Sequence, residues 1–100
     1  MKLLVTYHTK QCSAEFLRRL ESLGIPEIVR REQGCISYEY FLPADGSTDR
    51  LLLVEQWENT ELQALHLGQP HMKRLADIKP RYVRETAVEV IDEQRTSCGS

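Results

Sequence analysis

The sequence predicts an α+β fold with the element order β-α-β-β-α-β, the split βαβ arrangement of ferredoxin-like domains. Three observations lead to it. Apolar residues follow the twofold period of strands in four segments, they follow a helical period in two segments between them, and a turn rich in Pro, Gly and Asp joins the second and third strands. We place one domain at residues 1–91 and expect the polar residues 92–100, which show no period, to be a disordered tail.

The four predicted strands differ in how many of their faces are apolar. Residues 2–8 and residues 51–58 carry apolar side chains on both faces, which is typical of strands inside a sheet. Residues 35–42 are rich in β-forming residues, and residues 86–91 alternate valines with other residues. Two helices can cover only one face of such a sheet. We therefore expect a second copy of the chain to cover the other face, in a homodimer packed sheet to sheet.

Local signals predict where the helices begin and end. Ser13 is a suitable N-cap for the first helix, and Thr60 with Gln63 has the pattern of a capping box that opens the second. Pro70 has no amide hydrogen and is best accommodated as the first residue of a new turn, so we expect a break before it. The second helical piece is expected to end at Pro80.

Composition excludes several classes of partner. Thirteen Lys and Arg against fifteen Asp and Glu leave a formal charge of -2, which offers no basic surface for nucleic acid or anionic lipid. No apolar run approaches the roughly 20 residues that span a bilayer, and no signal peptide is expected. The three cysteines are far apart and lack CxxC spacing, so neither a disulfide framework nor a thiolate zinc site is expected. We expect a cytoplasmic protein that binds neither nucleic acid nor membrane.

Three side chains with chemical potential are expected to lie together. Alternation along the third strand places Glu55 and Trp57 on one face, and the next helix turns His66 toward it together with Leu62 and Leu65. Imidazole titrates nearest neutral pH, so His66 is the candidate base. The structural alternatives are a core role for Trp57 and a buried histidine satisfied by a carbonyl or by Glu55. A buried Glu55 would itself need a partner, such as an Arg or Tyr of a second subunit.

Four further residues are candidates for the same site. His71 follows His66 by five residues, which is about 140° around a regular helix, whereas a helical pair of metal ligands is spaced by four. The expected helix break weakens this objection, but the sequence supplies no third ligand, so no metal site is predicted. Tyr7, His8 and Tyr38 lie on predicted strands and could line a pocket, although packing or an interface is the favoured explanation for each of them.

The chain also resembles a known family. Residues 32–38 (EQGCISY), residues 53–58 (LVEQWE) and the two histidines within residues 64–72 look like the EPGC-x-x-Y, hydrophobic-E-x-W and A-H-x4-H blocks of antibiotic biosynthesis monooxygenase domains, in their quinol monooxygenase branch. The resemblance runs through nearly the whole predicted domain. It departs from the family pattern where Gln33 replaces the usual proline and where Met72 stands in place of a common aromatic residue.

This resemblance implies a dimeric α+β barrel and an enzyme that oxidises a quinol or another hydroxyaromatic compound with O2, without flavin, haem or metal. The implied chemistry is deprotonation of the hydroxyarene, electron transfer to O2 and oxygenation of a ring carbon. Such a site needs a base, an apolar cavity and donors for the developing oxyanion. The resemblance makes His66 the base or oxyanion partner, His71 a second polar contact, and Trp57 and Tyr38 cavity walls.

Two alternatives stay open at this point. Relatives with the same fold and H-x4-H region isomerise a phosphorylated autoinducer sugar, in which case the histidines would move protons and Arg81 or Arg84 would hold a phosphate. The other alternative is a dimer that binds a small ligand without catalysis, because a fold does not determine an activity. Haem degradation is not expected, since His66 stands where haem-degrading relatives carry a tryptophan.

Overall fold

The computed structural model describes residues 1–91, and the expected tail at 92–100 lies outside them. The ferredoxin-like α+β fold is confirmed, with four strands and four helices. In chain order they are β1 (Lys2–Thr9), α1 (Ser13–Ser22), α2 (Ile25–Arg30), β2 (Cys35–Phe41), β3 (Arg50–Trp57), α3 (Thr60–Leu67), α4 (Pro70–Tyr82) and β4 (Val83–Ile91). None of the helices within residues 1–91 combines the length and the apolar character that a bilayer crossing requires.

The sheet has the strand order β2-β3-β1-β4, and every neighbouring pair is antiparallel. Alternate residues of β1 and β3 are buried beneath the helices, because successive side chains of a strand point to opposite faces. On β3 this buried face carries Leu51, Leu53, Glu55 and Trp57, as the alternation predicts. A carboxylate and an indole therefore lie within an otherwise apolar layer.

Aromatic rings hold the helices onto the sheet at the end away from Trp57. The Phe16 ring of α1 meets the Tyr7 ring of β1 edge to face, with centroids 5.3 Å apart. On its other side Phe16 stacks on Tyr82 at the end of α4, at 5.5 Å. These rings and the buried aliphatic residues of α1, α2 and α4 belong to one core, which fixes how α4 lies across the sheet.

The predicted break between α3 and α4 is present, but the prediction that Pro80 ends the second piece is wrong. Pro70 is the first residue of α4, a position whose backbone N–H has no partner within the helix, so proline loses no hydrogen bond there. The helix continues through Pro80 to Tyr82. The last turn is held from outside: Lys10 donates its backbone N–H to the Tyr82 carbonyl at 2.8 Å and its side-chain amine to the Pro80 carbonyl at 2.6 Å.

Both predicted N-caps are shifted by one residue. Cys12 precedes α1, which begins at Ser13, and it makes no side-chain capping bond. The N-cap of α3 is Asn59, whose side-chain oxygen accepts a hydrogen bond from the backbone N–H of Leu62 at 2.9 Å. An Asx side chain competes well with threonine for this position, so Thr60 becomes the first helical residue.

The predicted inward face of α3 is correct for His66 and wrong for Leu65. His66 is 1% exposed, whereas Leu65 is 60% exposed. Leu62 and His66 are four residues apart and lie on one side of the helix, while Leu65 is rotated by about 100° from its neighbour. Only one side of α3 therefore contacts the rest of the domain.

Strand β2 contains a β-bulge where its pairing with β3 begins. Cys35 pairs with Trp57 and Ser37 with Gln56, so Ile36 has no opposite residue and is exposed. After this bulge Tyr38 returns to the helix-covered side, opposite Glu55. The bulge separates Ile36 from Tyr38, although simple alternation predicts that they share a face.

Candidate active site

A single carboxylate oxygen lies between two imidazole rings. Oε2 of Glu32 is 2.8 Å from Nδ1 of His66 and 2.6 Å from Nε2 of His71. His66 lies near the end of α3, His71 in the first turn of α4, and Glu32 in the loop that joins α2 to β2. An ionised carboxylate only accepts hydrogen bonds, so each ring donates an N–H to it.

The helix break brings the two histidines to the same carboxylate. On one continuous helix His66 and His71 would point about 140° apart. Here α3 ends at Leu67, and Pro70 starts α4 after two linking residues, so the two histidines do not lie on one continuous helix. The angle that a single helix would impose therefore does not prevent His66 and His71 from binding the same carboxylate.

Gly34 allows the Glu32 loop to approach α3 closely. Its φ is +87°, and a Cβ at this position would lie 2.5 Å from Cδ1 of Leu62. The Gly34 carbonyl also accepts a hydrogen bond from the backbone N–H of Glu58 at 2.9 Å. A side chain at residue 34 would push the loop away from the helix that carries His66.

The second nitrogen of His66 is a candidate proton acceptor. Nε2 is buried and has no hydrogen-bond partner within residues 1–91. When Nδ1 carries the proton donated to Glu32, a neutral ring leaves its lone pair on Nε2. The ring lies against the Trp57 indole, with centroids 4.6 Å apart, and Tyr38 meets it at 6.0 Å. Glu32 thus selects the tautomer that a general base requires.

A cavity of about 320 Å³ adjoins this histidine between the helices and the sheet. Of the residues predicted for the site, Tyr7, Tyr38, Glu55 and His66 lie in its wall. Most of the remaining wall is apolar and includes Leu3, Val5, Leu67, Met72, Leu75 and Val88. The cavity is thus suited to a mostly apolar molecule that presents a few polar atoms.

One cation also contributes to the cavity wall. Lys79 of α4 is a wall residue, and its Nζ lies 5.8 Å from the centroid of the Tyr7 ring. At this distance the ammonium group is attracted to the face of the ring. A positive charge is therefore held beside a largely apolar space.

The other predicted site residues lie outside the cavity wall. Trp57 is fully buried behind His66 and donates its Nε1–H to Oε1 of Glu55 at 2.8 Å. The buried carboxylate is thus paired within its own chain, and His66 is satisfied by Glu32 instead. His71 lies beyond Glu32, while His8 alternates with the buried residues of β1 and faces the uncovered side of the sheet.

Burial changes the ionisation of the tyrosines around the cavity. It raises the pKa of Tyr40 to about 12 and the pKa of Tyr7 and Tyr38 well above the usual value. All three hydroxyls therefore keep their protons at neutral pH. Those of Tyr38 and Tyr40 are buried and lack a hydrogen-bond partner in the part of the chain that the structure describes. Tyr38 lies in the cavity wall and is therefore a potential donor to a bound anion, whereas Tyr40 is not a wall residue.

Burial also raises the pKa of Glu55 above its usual value of 4.5, although the Trp57 hydrogen bond and the nearby His66 lower it. The folded protein consequently keeps this proton at pH values where the unfolded chain has lost it. The resulting stabilisation is present in acid and disappears as the pH rises through the raised pKa. Ionisation of Glu55 in the folded protein therefore carries a cost of burial that the Trp57 hydrogen bond and His66 offset only in part.

Replacing Glu55 with Gln is therefore expected to raise the melting temperature at neutral pH by a few degrees. The amide keeps an oxygen for the Trp57 N–H and removes the buried charge. The gain should shrink as the pH falls toward 4.5, and thermal unfolding followed across this range measures it. Glu58→Gln, at an exposed position directly after β3, controls for the loss of one negative charge. An equal rise in melting temperature in acid and at neutral pH would contradict the raised pKa of Glu55.

Glu32 is a site residue that the sequence patterns do not predict. It belongs to the 32–38 segment that carries the family resemblance, and this was the available signal. The residue otherwise follows two arginines in a polar connection, where a carboxylate is usually solvated. Its contact with two histidines 34 and 39 residues later depends on tertiary structure.

The fold and the site together define a ferredoxin-like α+β domain with a carboxylate-bound pair of histidines beside a mostly apolar cavity. The family model for antibiotic biosynthesis monooxygenase matches residues 6–77. This chain therefore belongs to the antibiotic biosynthesis monooxygenase family. A search among curated proteins finds no match.

Solved structures share this fold at low sequence identity. SO0527 from Shewanella oneidensis is 25% identical, with a TM-score of 0.74 over 88% of this chain and 84% of that one. Rv0793 from Mycobacterium tuberculosis is 24% identical, with a TM-score of 0.79 and 97% of each chain covered. SnoaB from Streptomyces nogalater, described as a cofactor-independent oxygenase, is 13% identical, with a TM-score of 0.78 over 95% of this chain and 93% of its own.

Proposed function

We propose that this protein is a cofactor-independent monooxygenase that uses O2 to oxidise a quinol or another hydroxyaromatic small molecule. The observation that carries the proposal is the buried His66, bound through Nδ1 to Glu32, in the wall of a mostly apolar cavity. Membership of the antibiotic biosynthesis monooxygenase family supports the same general chemistry. SnoaB, which shares the fold, is described as a cofactor-independent oxygenase.

In the proposed reaction Nε2 of His66 accepts the proton of a phenolic hydroxyl. Glu32 stabilises the imidazolium that forms, because its carboxylate already holds the opposite nitrogen. The Tyr38 hydroxyl, which keeps its proton and belongs to a residue of the cavity wall, can donate to the developing anion. The apolar wall excludes water and so strengthens each of these polar interactions.

The electron-rich anion then transfers an electron to O2, and the two radicals combine at a ring carbon. Loss of water from the resulting peroxide leaves one oxygen atom on the ring. For a quinol the balanced outcome is a hydroxyquinone and one molecule of water, with the substrate supplying all the electrons. The protein contributes a base, an orientation and a dry cavity to this sequence.

Oxygen uptake tests the proposal directly. The purified protein is incubated with a panel of quinols and hydroxyanthrones, and O2 consumption is followed with an electrode while products are identified by mass spectrometry. We expect consumption above the spontaneous rate, with one atom from labelled O2 in the product. Leu65→Ala, on the exposed side of α3, serves as the control variant. A rate equal to the spontaneous rate for every compound would reject the proposal.

The isomerase alternative is favoured by one observation, the cation of Lys79 in the cavity wall. A phosphate could bind there as an anion. Arg81 and Arg84, which the sequence analysis assigned to this role, are exposed and lie outside the wall. Competition between inorganic phosphate and a hydroxyaromatic ligand for the cavity separates this alternative from the oxygenase.

We further propose a homodimer packed through the uncovered sheet face. This face carries the half-buried Leu4, Leu52 and Val54, and at its edges Phe41 and Ile91 are exposed. Across the sheet, Val88 and Val90 of β4 lie on the helix side beyond the reach of the helices and are 62% and 65% exposed. A second copy packed against the uncovered face would bury the first of these two sets.

Leu52→Glu is expected to convert the dimer to a monomer, because a charge would be buried in the centre of the interface. Sedimentation or light scattering should give twice the chain mass for the native protein and the single mass for the variant. Leu65→Glu introduces the same charge on the far surface of α3 and should leave the dimer intact. A native protein with the mass of one chain would contradict the proposal.

A further inference from the structure

We propose that Glu32, His66 and His71 form a binding site for a single divalent transition-metal ion of the zinc type. Nδ1 of His66, Nε2 of His71 and a carboxylate oxygen of Glu32 all lie within 4.8 Å of one another. The oxygenase proposed above does not require an ion at this position, so binding of the ion stands independently of it.

The donor set matches the chemistry of such an ion. Two imidazole nitrogens and one carboxylate oxygen are the ligands of many zinc sites in which a fourth position is held by water. Imidazole also suits Co2+, Ni2+ and Fe2+, whereas Mg2+ and Ca2+ prefer oxygen ligands. The predicted preference is therefore for the later first-row divalent ions.

Small movements of the three side chains convert the hydrogen-bonded cluster into a metal site. Ligand atoms around a tetrahedral zinc ion are about 3.4 Å apart, as follows from bond lengths of about 2.1 Å. The carboxylate oxygen is 2.8 Å and 2.6 Å from the two nitrogens, which are hydrogen-bond distances. Glu32 must therefore move outward, and the two imidazole nitrogens, which lie within 4.8 Å of each other, must move closer together. Rotations of the three side chains can supply both movements.

A route to the cluster exists that shares no residue with the wall of the apolar cavity. A surface depression of about 240 Å³ is lined by Glu32, Gln33, Leu62, Leu65 and Gln69. Glu32 thus lies between this depression and the buried ring of His66. A hydrated ion can enter there, lose water to the three ligands and keep water on the open side.

Metal binding would change the role of His66. When Nδ1 binds an ion, the proton of a neutral imidazole must reside on Nε2. Nε2 is then a donor and no longer accepts a proton from a substrate. If the proposed oxygenase mechanism holds, the metal-bound protein is an inhibited form, and this one consequence rests on the proposed function.

Titration with Co2+ provides a readout that does not depend on activity. The full chain without a histidine tag is stripped with a chelator and titrated with Co2+, and the visible d–d absorption is recorded before Zn2+ is added. We expect one Co2+ per chain, a spectrum typical of nitrogen and oxygen ligands without a thiolate charge-transfer band, and full displacement by Zn2+. Absence of d–d absorption at millimolar Co2+ would overturn the proposal, as would a thiolate band.

Glu32→Gln and His71→Asn identify the ligands. Each should weaken Co2+ binding by at least about tenfold, because each removes one of three protein ligands. Glu27→Gln changes an exposed glutamate of the preceding helix and should bind Co2+ as the native protein does. Circular dichroism shows whether each variant is folded. Unchanged affinity in folded Glu32→Gln or His71→Asn would overturn the assignment.

Discussion

Replacement of His66 with Gln is expected to lower the kcat of oxygenation by about 10²–10⁴-fold, the contribution of a positioned general base. The amide keeps polarity and much of the side-chain volume but cannot accept a proton from a phenol. KM should change little, since the apolar wall that binds the substrate is retained. Steady-state O2 consumption over a range of substrate concentrations separates the two constants.

Two further measurements support the interpretation of that result. The buried position of His66 requires a check that the variant folds, which near-ultraviolet circular dichroism of the Trp57 environment provides. Leu65→Ala, one residue away on the exposed side of α3, should keep the native kcat. An unchanged kcat in folded His66→Gln would show that another group removes the substrate proton.

Replacement of Gly34 with Ala is expected to destabilise the fold by about 2–4 kcal/mol, from two separate costs. A positive φ costs an L-residue about 1 kcal/mol, and a Cβ placed 2.5 Å from the Leu62 side chain adds about 1–3 kcal/mol of overpacking. Urea unfolding measures the loss. The added methyl group would also push α3 and the His66 ring away from Glu32, so the rate of oxygenation should fall as well.

Gly46 offers a matched comparison. Its φ is +83°, nearly that of Gly34, but a Cβ there meets no heavy atom within 4 Å. Gly46→Ala therefore carries the backbone cost alone, and the difference between the two variants isolates the contact with Leu62. Equal losses in both variants would show that the Glu32 loop does not depend on close packing against α3.

The architecture was predictable from local patterns because each element has a clear one. The buried alternation of β3 follows directly from residues 51–57, and Pro70 marks the start of α4. Details that depend on neighbours were not predictable. Pro80 remains within a helix because Lys10 holds the last turn, and Ile36 is exposed because of a bulge that only the pairing with β3 reveals.

The candidate site was predictable in part for the same reason. His66 and Glu55 could be placed near each other because one strand and the following helix carry them. Their partners could not be assigned: Glu55 accepts from Trp57 in its own strand, and His66 binds Glu32 across 34 residues of chain. The break between α3 and α4 was expected, but its effect on the direction of His71 required the orientation of both helices.

The central position of β1 has a consequence for synthesis of the protein. Lys2–Thr9 is made before both of its neighbours in the sheet, Arg50–Trp57 and Val83–Ile91. Both hydrogen-bonding edges of this apolar strand thus stay open on the ribosome until most of the chain has emerged, and such edges favour aggregation. Shielding of these edges by a chaperone during translation is therefore expected to increase the yield of folded protein.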